Sequence, residues 1–405
     1  MSTIAVLGTF DTKGEEHAFV ADQIRQRGHQ TLLIDVGVLD AAKIKPDVSR
    51  EQVANEGGIN LAEIAQRKDR GEAVTAMMHA APLLVARLAR EGKIHGIISL
   101  GGSGGTAIAT AAMRTLPVGF PKLMVSTVAA VGNTSSYLGT KDILMMPSIV
   151  DVSGLNSISL LIFTRAAGAI CGMVEATFKE ALDKPIIVAS MFGNTTVCVE
   201  HARKLLEEQG YEVLVFHATG TGGRTMESLI ESGMVAGVLD ITTTEWADEL
   251  VGGMLGAGPT RLEAAARKGV PAIVVPGCLD MVNFGSCESI PAKFEGRNFY
   301  QHNPQVTLMR TTPEEGAQLG KILATKVNRS VGPVSVLLPK RAISVISAPG
   351  QKFYDPVADE MLFDAIKTNL KSNVELIELD CEINHPSFAE ACVAALLRNI
   401  KTAVI

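Results

Sequence analysis

Short aliphatic runs alternate along the chain with longer stretches whose apolar positions recur at helical spacing. Ile4–Leu7 reads as a strand. Glu15–Arg27 reads as a helix, with Ala18, Phe19, Val20, Ala21 and Ile24 on its apolar side; Gly28 ends it and Thr31–Ile34 is the next strand. Gly96–Leu100, Thr106–Arg114 and Lys122–Ser126 continue as strand, helix and strand. This alternation predicts a parallel sheet covered on both faces. The polar, turn-rich stretch Asp40–Arg70 predicts an excursion with one short helix. After Pro339 the pattern predicts a strand near Ala342–Ile346, a helix over Val357–Leu370, a strand over Val374–Leu379 and a helix over Phe388–Arg398. These elements complete a second sheet or cross back to the first.

The second half repeats the first. Ile4 through Gly28 to Asp35 aligns without a gap on Ile186 through Gly210 to His217. Further on, Gly96–Leu100 matches Gly237–Ile241, and Gly119–Val125 matches Gly269–Val275. The expected fold is α/β: two similar Rossmann-like lobes, each a mostly parallel sheet flanked by helices. The boundary is expected near Ala181–Pro185, giving lobes 1–183 and 184–405.

Composition narrows the function. The chain has 405 residues, with 47% hydrophobic and 20% charged positions, which fits two globular domains. Net charge is −6 and aromatic residues make up 4%, so neither a basic face nor stacking rings for nucleic acid are expected. No apolar run reads as a membrane span. The N-terminus reads as a strand rather than a signal peptide, and a cytoplasmic location is expected.

Ligands of parallel α/β sheets sit at the carboxyl ends of strands, beside helix starts. Four loops hold that position. In Gly8-Thr9-Phe10-Asp11-Thr12-Lys13-Gly14, hydroxyls of Thr9 and Thr12 and the Lys13 cation suit phosphate, and Asp11 suits Mg²⁺. The Walker A spacing is absent. In Gly101-Gly102-Ser103-Gly104-Gly105-Thr106, four glycines directly after a strand can bring several N–H groups to one anion. In Gly220-Thr221-Gly222-Gly223-Arg224, the guanidinium can grip a phosphate or carboxylate with paired bonds. The fourth loop, Thr242-Thr243-Thr244-Glu245-Trp246, takes in the second lobe the place of the glycine-rich loop in the first. The lobes are therefore expected to have diverged in ligand. Trp246 is expected in the core.

The first two loops, together with Pro121-Lys122-Leu123-Met124-Val125-Ser126-Thr127, resemble the Tm-1-like ATP-binding domain family, the UPF0261 group. The likeness continues through Asp151-Val152-Ser153-Gly154-Leu155-Asn156, Pro276-Gly277-Cys278-Leu279-Asp280, His302-Asn303-Pro304 and Phe353-Tyr354-Asp355-Pro356, and so spans essentially the whole chain. The resemblance implies ATP with Mg²⁺ in the first lobe and a homodimer. Thr9, Asp11, Thr12, Lys13 and Gly101–Thr106 are carried over as nucleotide contacts because their loops match.

In the second lobe, Asp280, His302 and Glu245 are candidate acid/base groups, with Gly220, Gly222, Gly223 and Arg224 as an anionic-metabolite site in a cleft between the lobes. Three readings stand. ATP·Mg²⁺ is coupled to phosphoryl transfer on a small anionic metabolite. Or ATP binds without turnover, in a regulatory or binding protein. Or the chain is an ATP-independent hydrolase or isomerase of an acidic sugar.

Overall fold

The computed structural model describes residues 1–67, 69–130, 133–177 and 184–403. The chain clusters into two compact units, Met1–Ala181 and Leu182–Ile405. The expected lobe boundary, 183/184, meets residues 181–183, which lie outside the described residues.

Unit 1 runs β1 (Thr3–Gly8), α1 (Phe10–Gln26), β2 (Gln30–Asp35), α2 (Arg50–Glu56), α3 (Leu61–Arg67), α4 (Arg70–Arg90), β3 (Gly96–Gly101), α5 (Ser103–Met113), β4 (Lys122–Ser126), α6 (Ser135–Leu138), β5 (Leu144–Pro147) and α7 (Ser157–Glu175). Its five strands are parallel, in the order β2-β1-β3-β4-β5. Because strand side chains alternate, Ala5, Leu7 and Ile97 enter one apolar layer with α4 and α5. Ile4, Val6, Ile98 and Leu100 enter the opposite layer with α1 and α7. The sheet buried on both faces explains why its strands read as continuous apolar runs.

Two expectations change here. The excursion after β2 holds two helices, α2 and α3, rather than one. Helix α7 is long and apolar enough, by length and composition, to cross a membrane. Its Phe163, Ala166, Ala167, Ile170 and Cys171 are nonetheless buried against α1 and the sheet.

Unit 2 runs β6 (Ile186–Met191), α8 (Thr196–Glu208), β7 (Glu212–His217), α9 (Thr221–Glu231), β8 (Val235–Thr242), α10 (Glu245–Val251), α11 (Ala264–Lys268), β9 (Ala272–Gly277), β10 (Met281–Phe284), β11 (Phe299–Asn303), β12 (Val306–Arg310), α12 (Pro313–Val327), β13 (Val334–Pro339), α13 (Pro356–Asn369), β14 (Glu375–Leu379) and α14 (Pro386–Ala403). Its parallel sheet has the order β14-β13-β9-β8-β6-β7. Read from β7, this is the unit 1 order with one strand added, so the repeat legible in the sequence is a repeat of topology.

The tail completes the second sheet through β13 and β14, and α14 packs on β8, β9 and β13. The strand expected at Ala342–Ile346 is displaced to Val334–Pro339; Ala342 keeps only a single bridge to Glu382. Between β9 and α12 a separate antiparallel sheet, β10-β12-β11, is inserted. Thr312 caps α12 reciprocally with Glu315, as the spacing predicts.

Candidate functional site

In unit 1, β1 lies between β2 and β3, so connections leave its carboxyl end in opposite directions and a crevice opens there. The loops after β1 and β3 line that crevice. Thr9, Asp11, Thr12 and Lys13 from one and Gly102, Ser103, Gly104 and Gly105 from the other enclose a cavity of about 280 Å³. Val38, Leu39, Arg70, Val74, Ile108 and Asp151 complete its wall. Two expected contacts stand behind it. Gly101 ends β3, packed against Gly105, where an added Cβ would lie 3.2 Å from the Gly105 Cα. Thr106 is fully buried and shares a 2.7 Å hydrogen bond with the Ser126 hydroxyl.

The glycines that line the cavity, Gly102, Gly104 and Gly105, are not demanded by the backbone of their loop. None of Gly101, Gly102, Gly104 and Gly105 is among the residues with positive φ. A Cβ on Gly102, Gly104 or Gly105 would meet nothing closer than 3.7 Å. What their missing side chains leave open is the cavity. The N-cap of α5 is Gly102, so no side chain caps that helix start. Its first-turn amides face the region where an anion is stabilised by the helix end.

The first loop is shaped by buried polar groups. Asp35 Oδ1 accepts the Phe10 and Gly37 amides at 3.0 and 2.8 Å. Asp11 Oδ2 accepts the Val38 and Leu39 amides at 3.1 and 2.9 Å. Gly37 allows the two carboxylates to approach, since a Cβ there would lie 2.9 Å from Asp11 Cγ and 3.0 Å from Asp35 Oδ1. Burial, and to a lesser degree the Asp11 charge, pushes the Asp35 carboxyl above its ordinary range, against the pull of the two amides. Asp11 Oδ1 is buried and has no hydrogen-bond partner. That atom fits a cation as its missing partner.

Helix α1 is kinked at Lys13, whose φ and ψ are −129° and 31°. The Lys13 ammonium donates to the Val152 carbonyl, and Glu16 accepts the Gly154 amide at 2.6 Å. The Asp151 loop is thereby tied to α1. His17 is fully buried, and its Nδ1 lies 2.6 Å from the Lys13 carbonyl. A carbonyl only accepts, so Nδ1 carries the proton and Nε2 is left to accept the Leu100 amide at 3.4 Å.

Burial lowers the His17 pKa from 6.5 to about 4, with the Lys13 carbonyl and Glu16 charge opposing the shift. The unfolded chain then binds more protons between pH 6.5 and 4. Stability is full above that window and falls as pH drops through it, by up to roughly 3 kcal/mol at its foot. Urea midpoints measured from pH 7 to pH 4 should fall for unit 1, and His17→Phe should flatten part of that slope. An identical slope in the variant would remove His17 as its source.

Unit 2 has the same switch point between β6 and β8, but its own side chains fill it. Ser190 Oγ donates to Asp240 at 2.6 Å, and Thr195 and Thr242 share a 2.8 Å hydroxyl contact. The anionic-metabolite site and catalytic trio need correction. Glu245 Oε1 accepts the Gly220 and Gly223 amides at 2.8 and 3.0 Å, so the protein's own carboxylate takes the place expected for a ligand anion. Gly222 is held for packing, since a Cβ there would lie 1.7 Å from the His217 carbonyl oxygen. Arg224 is exposed, and its guanidinium braces Gly256 and Thr221. Asp280 is fully buried, accepts the Ser344 hydroxyl at 2.7 Å and is pushed up in pKa by burial against the Arg310 charge. His302 is exposed on β11. Glu245 and Asp280 are thus both buried apart from solvent, Glu245 through bonds to both its oxygens and Asp280 through Oδ2 alone, its Oδ1 having no hydrogen-bond partner. Trp246 packs in the core, with the Lys326 ammonium 5.0 Å from its ring centroid.

The sequence comparisons agree with this two-unit description. Residues 2–179 match the model for the N-terminal domain of "Uncharacterised protein family (UPF0261)", and residues 184–400 match that for its C-terminal domain. The chain belongs to the UPF0261 family. A UPF0261 protein of Clostridium tetani is 50% identical over 396 residues, covering 97% of this chain and 98% of the relative. UPF0261 protein RA0729 of Rhizobium meliloti is 45% identical over 398 residues, covering 98% of each. The ToMV resistance protein Tm-1(GCR237) of Solanum lycopersicum is 37% identical over 419 residues, covering 96% of this chain and 55% of that protein. Among solved structures, Acinetobacter baumannii MurG covers 98% of the UPF0261 chain and 100% of its own, at 11% identity and a TM-score of 0.23, too low to carry an argument.

Proposed function

We propose that this UPF0261 chain is an ATP-binding protein whose unit 1 holds the phosphates of the nucleotide, with Mg²⁺, and binds rather than consumes it. One observation carries the reading. A glycine loop that needs no glycine for its backbone opens a cavity at the β1/β3 switch point, beside Lys13, Arg70 and an α5 start with no side-chain cap. At about 280 Å³ the cavity is near the small end of ligand pockets. It suits the triphosphate end of a nucleotide more than the whole molecule. Asp11 and Asp151 would hold Mg²⁺, which neutralises phosphate oxygens when bound. The unpartnered Asp11 Oδ1 is the atom that fits it. Binding without turnover is favoured over phosphoryl transfer because Glu245 and Asp280 are sealed in internal contacts. The tomato relative is named a resistance protein, which is compatible with a binding role.

Calorimetric titration with ATP, with and without Mg²⁺, tests this. Lys13→Ala should weaken binding by about 10- to 100-fold, the worth of one charged hydrogen bond. Gly104→Val should weaken it at least as much while leaving stability nearly unchanged, because its Cβ has room at 3.7 Å and the added methyls enter the cavity. Normal ATP binding by both folded variants would refute the site, and phosphate release at a steady rate would refute binding without turnover.

A further inference from the structure

The loops lining the unit 1 cavity come from segments some ninety residues apart, and one side chain spans them. The His17 ring lies flat on the end of β1: a Cβ on Gly8 would fall 2.0 Å from Nε2, 2.3 Å from Cε1 and 2.5 Å from Cδ2. On one side, Nδ1 takes the carbonyl of Lys13, the residue at which α1 departs from helical geometry. On the other, Nε2 takes the amide of Leu100. Strand pairing between β1 and β3 runs only as far as Leu7 and Ser99, so Leu100 lies just past the last paired residue. The imidazole extends the β1–β3 connection by one link where the pairing of those two strands stops, while β3 runs on beside β4 to Gly101. The next residues after Leu100 are the glycine loop. The Phe10 ring, 5.4 Å away between centroids, packs the imidazole from the side.

We propose that His17 is the positioning residue of this site, setting the spacing between the Lys13 loop and the glycine loop through its two ring nitrogens without touching the ligand. The ligand arm of this inference rests on the ATP reading above; the geometric arm does not. A structural filler would need only the ring's volume. A positioning residue needs its hydrogen bonds, and the amide of asparagine can return the Nδ1 donor while phenylalanine returns only volume.

The experiment compares the full-length wild type with His17→Phe and His17→Asn in two measurements. Amide hydrogen exchange on unliganded protein reads the Leu100 bond, and ATP·Mg²⁺ titration reads the site. In His17→Phe the Leu100 amide should exchange about tenfold faster, the scale of one hydrogen bond, and ATP should bind at least about tenfold more weakly to protein that is still folded at the temperature of the titration. His17→Asn, which returns the bond to Lys13 alone, should bind ATP more tightly than His17→Phe and less tightly than the wild type, even if it melts lower. Wild-type exchange at Leu100 in His17→Phe would overturn the proposal whether or not ATP is the ligand. So would asparagine binding as weakly as phenylalanine. Absence of ATP binding by the wild type would refute the functional reading and leave the exchange result to decide His17. If His17→Phe does not fold, His17→Asn and His17→Gln are compared by exchange. Equal rates at Leu100 in the two and in the wild type would overturn the proposal; faster rates in either would support it.

Discussion

Arg261→Met is expected to destabilise unit 2 by about 3–5 kcal/mol, the cost of leaving buried charges without their partner. Arg261 is 1% exposed, yet it is among the largest fully buried side chains of the protein. Its Nη1 and Nη2 meet the two Asp240 oxygens at 2.6 Å each, its Nε meets Glu245 Oε2 at 2.7 Å, and Nη1 meets Glu227 at 3.3 Å. Burial disfavours the guanidinium charge, but Asp240, Glu245 and Glu227 outweigh it and hold the group charged. Burial in turn pushes the Glu227 carboxyl up, against the pull of Arg261. Methionine keeps the stem and removes the fork, so two or three carboxylates remain in the interior. Glu245 also fixes the start of α9 through Gly220 and Gly223, so the damage should extend to that helix. Urea denaturation followed by a unit 2 probe, the single Trp246, would measure the loss. A loss below about 1 kcal/mol would show that the network reorganises without its cation.

Gly8→Ala should be the most disruptive small change in unit 1, at about 3 kcal/mol, because overpacking at a rigid ring adds to two broken hydrogen bonds. The new Cβ overlaps three atoms of the His17 ring, and the ring cannot yield without releasing Lys13 or Leu100. A double-mutant cycle isolates the cause. His17→Ala removes the obstacle, so Gly8→Ala/His17→Ala should be less unstable than the sum of the single variants by at least about 1 kcal/mol. Additive losses would place the strain elsewhere.

The legible part of this fold is the part written in local pattern. β1, β2, β3 and β4 and their counterparts β6, β7, β8 and β9 are short apolar runs between glycine turns, and both sheets follow from them. The glycine-rich loop was visible because its composition departs from what a turn requires. β13 was less visible: Val334–Pro339 ends in a proline, which reads as an interruption, while the apolar residues of Ala342–Ile346 belong to a turn held by reciprocal Ser344 and Ser347 bonds. In the inserted sheet β11 and β12 form a tight hairpin, but β10 finds its antiparallel partner β12 only across the whole segment from Gly285 to Gln305, which leaves no periodic trace.

At the site, Lys13 and Asp11 were legible from their loop. Arg70, Val38 and Leu39 were not, because only the tertiary path of the excursion after β2 brings them to the cavity. His17 sits in the middle of an amphipathic helix, where one histidine carries no signal. The role of Glu245 is not legible for a related reason: it lies 25 positions from Gly220, and a carboxylate in a loop looks the same in sequence whether it serves a substrate or a helix.

That carboxylate has a consequence for how the repeated halves relate to their surroundings. By sealing the start of α9 with Glu245, unit 2 makes its counter-ion part of the covalent chain. The local abundance of that counter-ion is fixed by the fold and does not vary with the medium. Among the described residues no side chain caps the α5 start in unit 1, so a counter-ion for it would have to come from outside the chain. Two copies of one topology thus differ in their electrostatics: one helix start carries its own counter-ion and the other leaves its amides without a side-chain cap.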